Sequence, residues 1–332
     1  MHSYLVEMLE CPACHGSLSW DVSHQEGDRI AEAVARCRNC EAEYPIREGI
    51  GVFLTRDLPR NDLWEEGERF VSQMLSEHPE IEAQLMGVPL SELGPADRFI
   101  CGMVHEEREQ WDQAQLAFDS ARIDLYTDEY NVCQQSQITY LLEEVADGKG
   151  PILDLASGRC TLVKELIEGT DRPIVATDFS LRILRRNRAR LIHHNLYNRV
   201  SLLAFDARRT PFRDRSIDTM TTFVGLPNIE QPGSLLKELR RVVSGRFLAI
   251  SQFYPATDAA NVTALREYGL EDSMLLEPTL NSFEKADWSI DIRNPRRGLA
   301  RPTPRSVLIP DQGIDGFPIA ETTLEWCVLE AT

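Results

Sequence analysis

The sequence predicts an α/β fold: a parallel sheet with helices on both faces, preceded by a helical connector and a small cysteine-clamped ribbon. Three observations predict it. Short apolar runs that end in aspartate recur at Ile152-Leu153-Asp154, at Ile174-Val175-Ala176 leading to Asp178, and at Leu202-Leu203-Ala204-Phe205-Asp206. Stretches with apolar residues at helical spacing alternate with these runs, as βαβ units require. Two Cys-x-x-Cys pairs, Cys11/Cys14 and Cys37/Cys40, stand ahead of everything else.

With 332 residues, 42% hydrophobic and 27% charged, the chain can bury a full core and hold more than one structural unit. No apolar run approaches the roughly 18 residues that cross a bilayer, so no membrane contact is expected. Residues 1–10 carry acidic groups and neither a basic region nor a cleavage site. They do not read as a signal peptide, and a cytoplasmic location is the default expectation. A formal net charge of −18 repels phosphates and argues against a nucleic-acid substrate.

The cysteine pairs come first in chain order. Each pair offers two thiolates on one tight turn, and together they match the tetrahedral sulfur site of Zn²⁺, with Zn–S of about 2.3 Å. Cys11, Cys14, Cys37 and Cys40 are the expected ligands. Four thiolates leave no open position, so the metal is structural. His15 and His24 lie near the pairs and are expected on the surface. Residues 1–55 are read as the ribbon.

Residues 56–128 form a polar, acidic segment with helical stripes at Phe70-Val71 and Met74-Leu75, and again at Trp111, Ala114 and Ala117-Phe118, broken near Pro95. This segment is read as a helical connector, or as a lid of the kind that closes over substrate. Residues 130–145 read as a helix with Ile138, Leu141, Leu142 and Val145 on its apolar face.

The stretch 151–161 organises the rest. The strand ending at Asp154 is followed by a small-residue turn, Ala156-Ser157-Gly158, and then by a helix carrying Leu162, Val163, Leu166 and Ile167. Asp178 falls about 24 residues after Asp154, which puts it at the tip of the neighbouring parallel strand, where a carboxylate takes ribose hydroxyls. A fourth strand runs through 215–224. A helix over 235–243 follows, ended by Gly245, and then a fifth strand at Phe247-Leu248-Ala249-Ile250. A helix at 261–268, a sixth strand at 288–292, a turn-rich loop at 301–304 and a last strand at 323–329 complete the chain.

In this order the motifs resemble the class I S-adenosylmethionine-dependent methyltransferases, particularly those acting on small molecules and quinones, from residue 130 onward. Residues 5–54 resemble the small zinc-ribbon proteins that activate methyltransferases, and the ribbon of some rRNA guanine methyltransferases. The resemblance implies a Rossmann-like sheet of seven strands ending in a reversed strand pair, over 129–332, with S-adenosylmethionine as cofactor. The family's acidic-x-Gly-x-Gly-x-Gly motif stands here as Asp154-Leu155-Ala156-Ser157-Gly158-Arg159-Cys160, with glycine kept only at Gly158. By resemblance, Asp154 fixes the loop and reaches the cofactor's amino group, and Ala156, Ser157 and Gly158 line it. Asp178 and Phe179 take the ribose side. Asp206 accepts the adenine amino group, with Ala207 beside the ring. Val224 lies under the transferred methyl. Asn228 either bonds the acceptor or caps the next turn. No general base stands out, and none is named.

Arg182, Arg185, Arg186, Arg188 and Arg190, followed by His193-His194, make a basic helix. Such a run invites an RNA reading, but no aromatic residues interleave it for base stacking. A solvated face is the reading adopted. Three functions stay open at this stage. The first, and the one adopted, is methyl transfer to a small molecule, with the ribbon as a stabiliser or as a dock for a protein partner. The others are RNA methylation and a non-catalytic scaffold with a degraded glycine loop.

Overall fold

The computed structural model describes the whole chain except residues 56, 59–61, 310 and 311. The connector's expected first residue, Arg56, therefore lies outside the described residues. The ribbon strands are β1 (Leu18–Glu26), β2 (Arg29–Cys37), β3 (Glu43–Arg47) and β4 (Ile50–Val52). Four helices follow: α1 (Leu63–Glu77), α2 (Pro79–Gly87), α3 (Pro95–Glu107) and α4 (Trp111–Leu125). Next come α5 (Asp128–Ala146), β5 (Ile152–Asp154), α6 (Thr161–Gly169), β6 (Ile174–Asp178), α7 (Leu181–His193), β7 (Val200–Ala204) and β8 (Ile217–Phe223). The chain ends with α8 (Pro232–Val242), β9 (Val243–Phe253), α9 (Ala259–Glu267), α10 (Glu271–Met274), α11 (Leu276–Glu284), β10 (Ile290–Ala300) and β11 (Thr322–Ala331).

One mixed sheet runs through the chain in the order β1-β2-β3-β4-β7-β6-β5-β8-β9-β11-β10. It has eleven strands, not the seven expected. Strands β5 to β11 are seven in number, with β10 and β11 as the reversed pair. The ribbon adds the other four, because β4 pairs in parallel with β7, Ile50 opposite Leu202 and Val52 opposite Ala204. An open β7 edge would leave a row of unpaired N–H and C=O groups, and β4 satisfies them. The approach depends on Gly51, where an added Cβ would stand 2.6 Å from Leu203 Cδ2.

Alternation along the buried strands sorts the core into two layers. Leu153, Val175, Leu203 and Phe247 join the ribbon's Leu5, Ala35, Ile46 and Phe53 on one face. Ile152, Ile174, Leu202 and Leu248 join α5, α6 and α7 on the other. A smaller third core joins Val71, Leu75, Leu85, Ile100 and Val104 of the connector to Ile309 of the loop between β10 and β11. The predicted stripes are thus realised at Val71 and Leu75, while Phe70 is exposed, and α3 starts at the Pro95 break.

Two local expectations are corrected. Gly245 does not end a helix. Helix α8 stops at Val242, and Gly245 lies inside β9, where a Cβ would meet the Asp218 carbonyl oxygen at 2.2 Å. The arginines of α7 form a solvated face only in part: Arg182 and Arg185 are exposed, whereas Arg186 is 8% exposed in its side chain and bonds Glu107 of α3, and Arg190 reaches Glu106. Among the described residues, no helix is long and apolar enough to cross a membrane.

Candidate functional site

The loop between β5 and α6 is pinned from every side. The Asp154 carbonyl accepts from Ser157 Oγ and from Thr177 Oγ1, both at 2.9 Å. The Ser157 amide donates to the Thr177 carbonyl at 2.7 Å. The Asp154 carboxylate is fully buried and accepts from Thr221 Oγ1 at 2.9 Å. Burial pushes its pKa up to about 7. Ala156, Gly158 and Cys160 have φ of 51°, 48° and 59°. The backbone therefore adopts the left-handed conformation at all three motif positions, although glycine, which tolerates it best, occupies only one.

Asp178, at the end of β6, is held by backbone amides. Gly158 donates to its Oδ2 at 3.1 Å and Ser180 to its Oδ1 at 2.9 Å, so each oxygen keeps a lone pair for a ligand. Burial pushes this carboxyl up to about 6. Asp178, Phe179, Asp206, Ala207 and Ala156 line one cleft of about 220 Å³. Asp154, Ser157 and Gly158, expected at the same site, are not among its lining residues. Gly158 is covered by Trp64 of α1, whose ring a Cβ there would meet at 3.0 Å. Asp206 is gripped by Arg208, with Nε 2.9 Å from Oδ1 and a second guanidinium nitrogen 2.7 Å from Oδ2.

Val224, with φ of 49°, lies in an adjoining chamber of about 310 Å³, which shares Pro227, Asn228 and Leu270 with the first cleft. A third cavity of about 830 Å³ opens under the connector. The second and third cavities share Tyr126, Gln134, Phe223 and Asp315. Sequence reasoning missed this part of the site. Asp315 lies in an irregular loop, and Tyr126 at the end of α4 carries no motif signal. It also missed Arg208 and the clamp of Arg159 on Glu106, for which the dense arginine run was the only hint.

In the ribbon, the four cysteine sulfurs lie within 4.8 Å of one another, with Cys14–Cys37 at 3.4 Å and Cys11–Cys40 at 3.6 Å. The edge of a ZnS₄ tetrahedron is about 3.8 Å. The amides of Asn39 and Cys40 point at Cys37 Sγ, and Tyr44 OH lies 3.2 Å from Cys11 Sγ. His15 and His24 are on the surface, each beside a glutamate.

Residues 152–245 match the family model described as a methyltransferase domain, and residues 2–49 match that of Trm112p-like proteins. A demethylmenaquinone methyltransferase of Mycobacterium bovis is 35% identical over 118 residues, 35% of this chain and 47% of that protein. One from Mycobacterium sp. strain KMS is 35% identical over 125 residues, 36% and 50% of the two chains. The chain thus spans about half the length of these relatives. Among solved structures, the YcgJ protein of Bacillus subtilis aligns at TM-score 0.47 and 13% identity, over 59% of this chain and 97% of that one. A geranyl diphosphate C-methyltransferase of Streptomyces coelicolor aligns at 0.44 and 12%, over 59% and 75%. The two sequence matches fall on the ribbon and on the strand–loop–helix core that carries the pinned loop.

Proposed function

We propose that the protein is an S-adenosylmethionine-dependent methyltransferase acting on a small-molecule acceptor. One observation carries this reading: Asp178, held only by backbone amides, shares a cleft with Phe179, Asp206, Ala207 and the left-handed turn at Ala156. These residues fit a nucleoside cofactor. Asp178 would take the ribose hydroxyls through charge-assisted hydrogen bonds. Asp206, oriented by Arg208, would face the adenine edge beside Ala207. Asp154, Ser157 and Gly158 would set the loop, and Val224 would border the methyl. When bound, the cofactor supplies a methyl group already activated on a sulfonium. The chain's own work is then alignment and exclusion of water, for which Trp64 and the connector helices would serve as a cover.

The retained left-handed loop supports a working site over a scaffold. Pairing of Arg186 and Arg190 with α3 takes two of the five arginines out of the basic face that invited an RNA reading. We read 1–55 as a structural zinc ribbon, 56–128 as the cover and 129–332 as the transferase unit, acting in the cytoplasm. On this reading the ribbon docks on its own chain's β7. The small-molecule acceptor accords with the curated relatives, which are named for methylating demethylmenaquinone.

Calorimetric titration of the zinc-loaded protein with S-adenosylmethionine and S-adenosylhomocysteine tests the cofactor site. Micromolar binding that is lost in Asp178→Ala is the expected result. Absence of binding by the unmodified protein sinks the reading.

A further inference from the structure

The His193-His194 pair that closes the basic helix meets a third side chain from a distant element. Helix α7 ends at His193, and His194 stops it with φ of −87° and ψ of 6°. Two successive side chains inside a continuous helix point about 100° apart. Here the two imidazoles lie edge to face, with ring centroids 4.8 Å apart and an interplanar angle of 86°. Asp112 of α4 stands opposite, its Oδ1 3.3 Å from His193 Nε2. One ligand atom from each of Asp112, His193 and His194 falls within 4.8 Å of the other two. Apart from the four ribbon cysteines, no other group of three such side chains is drawn together among the described residues. The helix ends also suit the pairing. Asp112 is in the first turn of α4, where an anion is favoured, and His193 is in the last turn of α7, where a cation is favoured.

We propose that Asp112, His193 and His194 form a second metal site, which takes a divalent transition ion such as Zn²⁺ or Co²⁺ and fastens α4 of the connector to α7. Two imidazoles and a carboxylate suit these ions, whereas Mg²⁺ and Ca²⁺ seek oxygen alone. Zinc bonds of about 2.0–2.1 Å in a tetrahedron put ligand atoms about 3.3 Å apart. His193 and Asp112 already have that separation, which is long for a hydrogen bond. The third ligand atom, within 4.8 Å of the others, reaches it by rotation of an exposed imidazole. All three side chains are exposed, so the fourth position belongs to water, and the site is weaker than four ribbon thiolates. Two cations near His194, Lys164 and Arg190, act against a bound ion, although Arg190 is also drawn to Glu106. His194 lines the 830 Å³ cavity under the connector. The ion would therefore tie the connector down at the edge of that cavity, at a second place beside the contact of Glu106 with Arg159.

The probe is the metal alone, added to full-length protein whose ribbon is already loaded with zinc. Calorimetry with Zn²⁺ is expected to find one further equivalent bound, with no heat from Mg²⁺. Loss of a ligand should cost at least the roughly 10–100-fold that follows loss of an outer-shell partner. Asp112→Asn, His193→Ala and His194→Ala should therefore each bind about 100-fold more weakly. The three side chains are exposed, so the variants are expected to fold, and circular dichroism without added metal checks this. His78→Ala, at a separate exposed pair with Glu80, should change nothing. Co²⁺ at the new site should give a visible d–d band without the thiolate charge-transfer band of a ribbon-bound ion. Hydrogen exchange at residues 111–115 and at the end of α7 should slow when the ion binds, and should not in the three variants. No further equivalent of Zn²⁺ in the unmodified protein would overturn the site, as would a Co²⁺ spectrum of thiolate ligation only. Affinity kept by any one of the three variants would overturn the three-ligand assignment. An ion bound without slowing exchange would overturn the fastening role.

Discussion

Glu106 of α3 meets Arg159 of the loop between β5 and α6 at 2.8 Å, and the Glu106 side chain is only 2% exposed. Arg186 and Arg190 of α7 close on the same carboxylate at 3.7 and 3.6 Å. The guanidinium of Arg159 also lies over the Phe118 ring of α4, 3.9 Å from its centroid. One buried anion thus ties the connector to the loop that would hold the cofactor. Burial pushes Arg159 down to about 10, against the pull of Glu106.

Removing that anion leaves three cations facing one another with little solvent. Glu106→Gln is therefore expected to destabilise the fold by about 3 kcal/mol, the scale for breaking a buried pair. Glu107, 40% exposed, should cost less than about 1 kcal/mol as Glu107→Gln. Urea denaturation of the two variants side by side checks the contrast; equal small losses would mean that Glu106 is not a keystone.

The two buried carboxyls of the site give a pH dependence with a fixed sign. Asp178 is raised to about 6 and Asp154 to about 7 from 3.8. The folded protein then binds more protons than the unfolded chain between about pH 4 and 7, so stability falls as pH rises through that window. Asp178 alone accounts for about 3 kcal/mol of this fall. A ligand that donates to the Asp178 carboxylate reverses the preference. S-adenosylhomocysteine affinity should rise about tenfold per pH unit below pH 6 and level off above it. Titrations from pH 5 to 8 check this, and Asp178→Asn should flatten the slope.

At the loop, the sign of a glycine substitution depends on what the side chain touches. Ala156 has φ of 51° and is partly exposed. Ala156→Gly should stabilise by about 1 kcal/mol, since the left-handed conformation costs an L-residue about that much. Cys160 has φ of 59° but is 1% exposed. Cys160→Gly relieves the same strain and loses buried contacts, so the net change should be a loss of about 1 kcal/mol. Thermal melts of the two variants should move in opposite directions.

These residues also show what could be read before the structure was known. The order of strand-end aspartates and the Asp154-to-Asp178 spacing were legible because the βαβ unit imposes them locally. The union of ribbon and sheet was not. Strand β4 is three residues long, and its pairing with Leu202, Leu203 and Ala204 is a contact across some 150 positions that leaves no periodic trace. Arg186 looked like a solvated charge for a similar reason: its partners Glu106 and Glu107 lie on a distant helix, and a helix-face pattern records only neighbours three or four residues away. Asp315 was invisible because an aspartate in an irregular loop has no spacing to be measured against.

The ribbon's place in the sheet makes the effect of metal removal local in a testable way. Zinc binding free energy is folding free energy for a small ribbon, so chelation should unfold residues 1–55 first. Because β4 covers β7, the loss should pass into the sheet at one edge only. Hydrogen exchange after chelation should accelerate at Val200–Ala204 of β7, while Ile152–Asp154 of β5, between β6 and β8, stays protected. The same pattern should follow Cys37→Ala. Uniform acceleration across β5, β6 and β7 would mean that ribbon and sheet unfold as one unit. No acceleration would mean that the thiols hold the ribbon without metal.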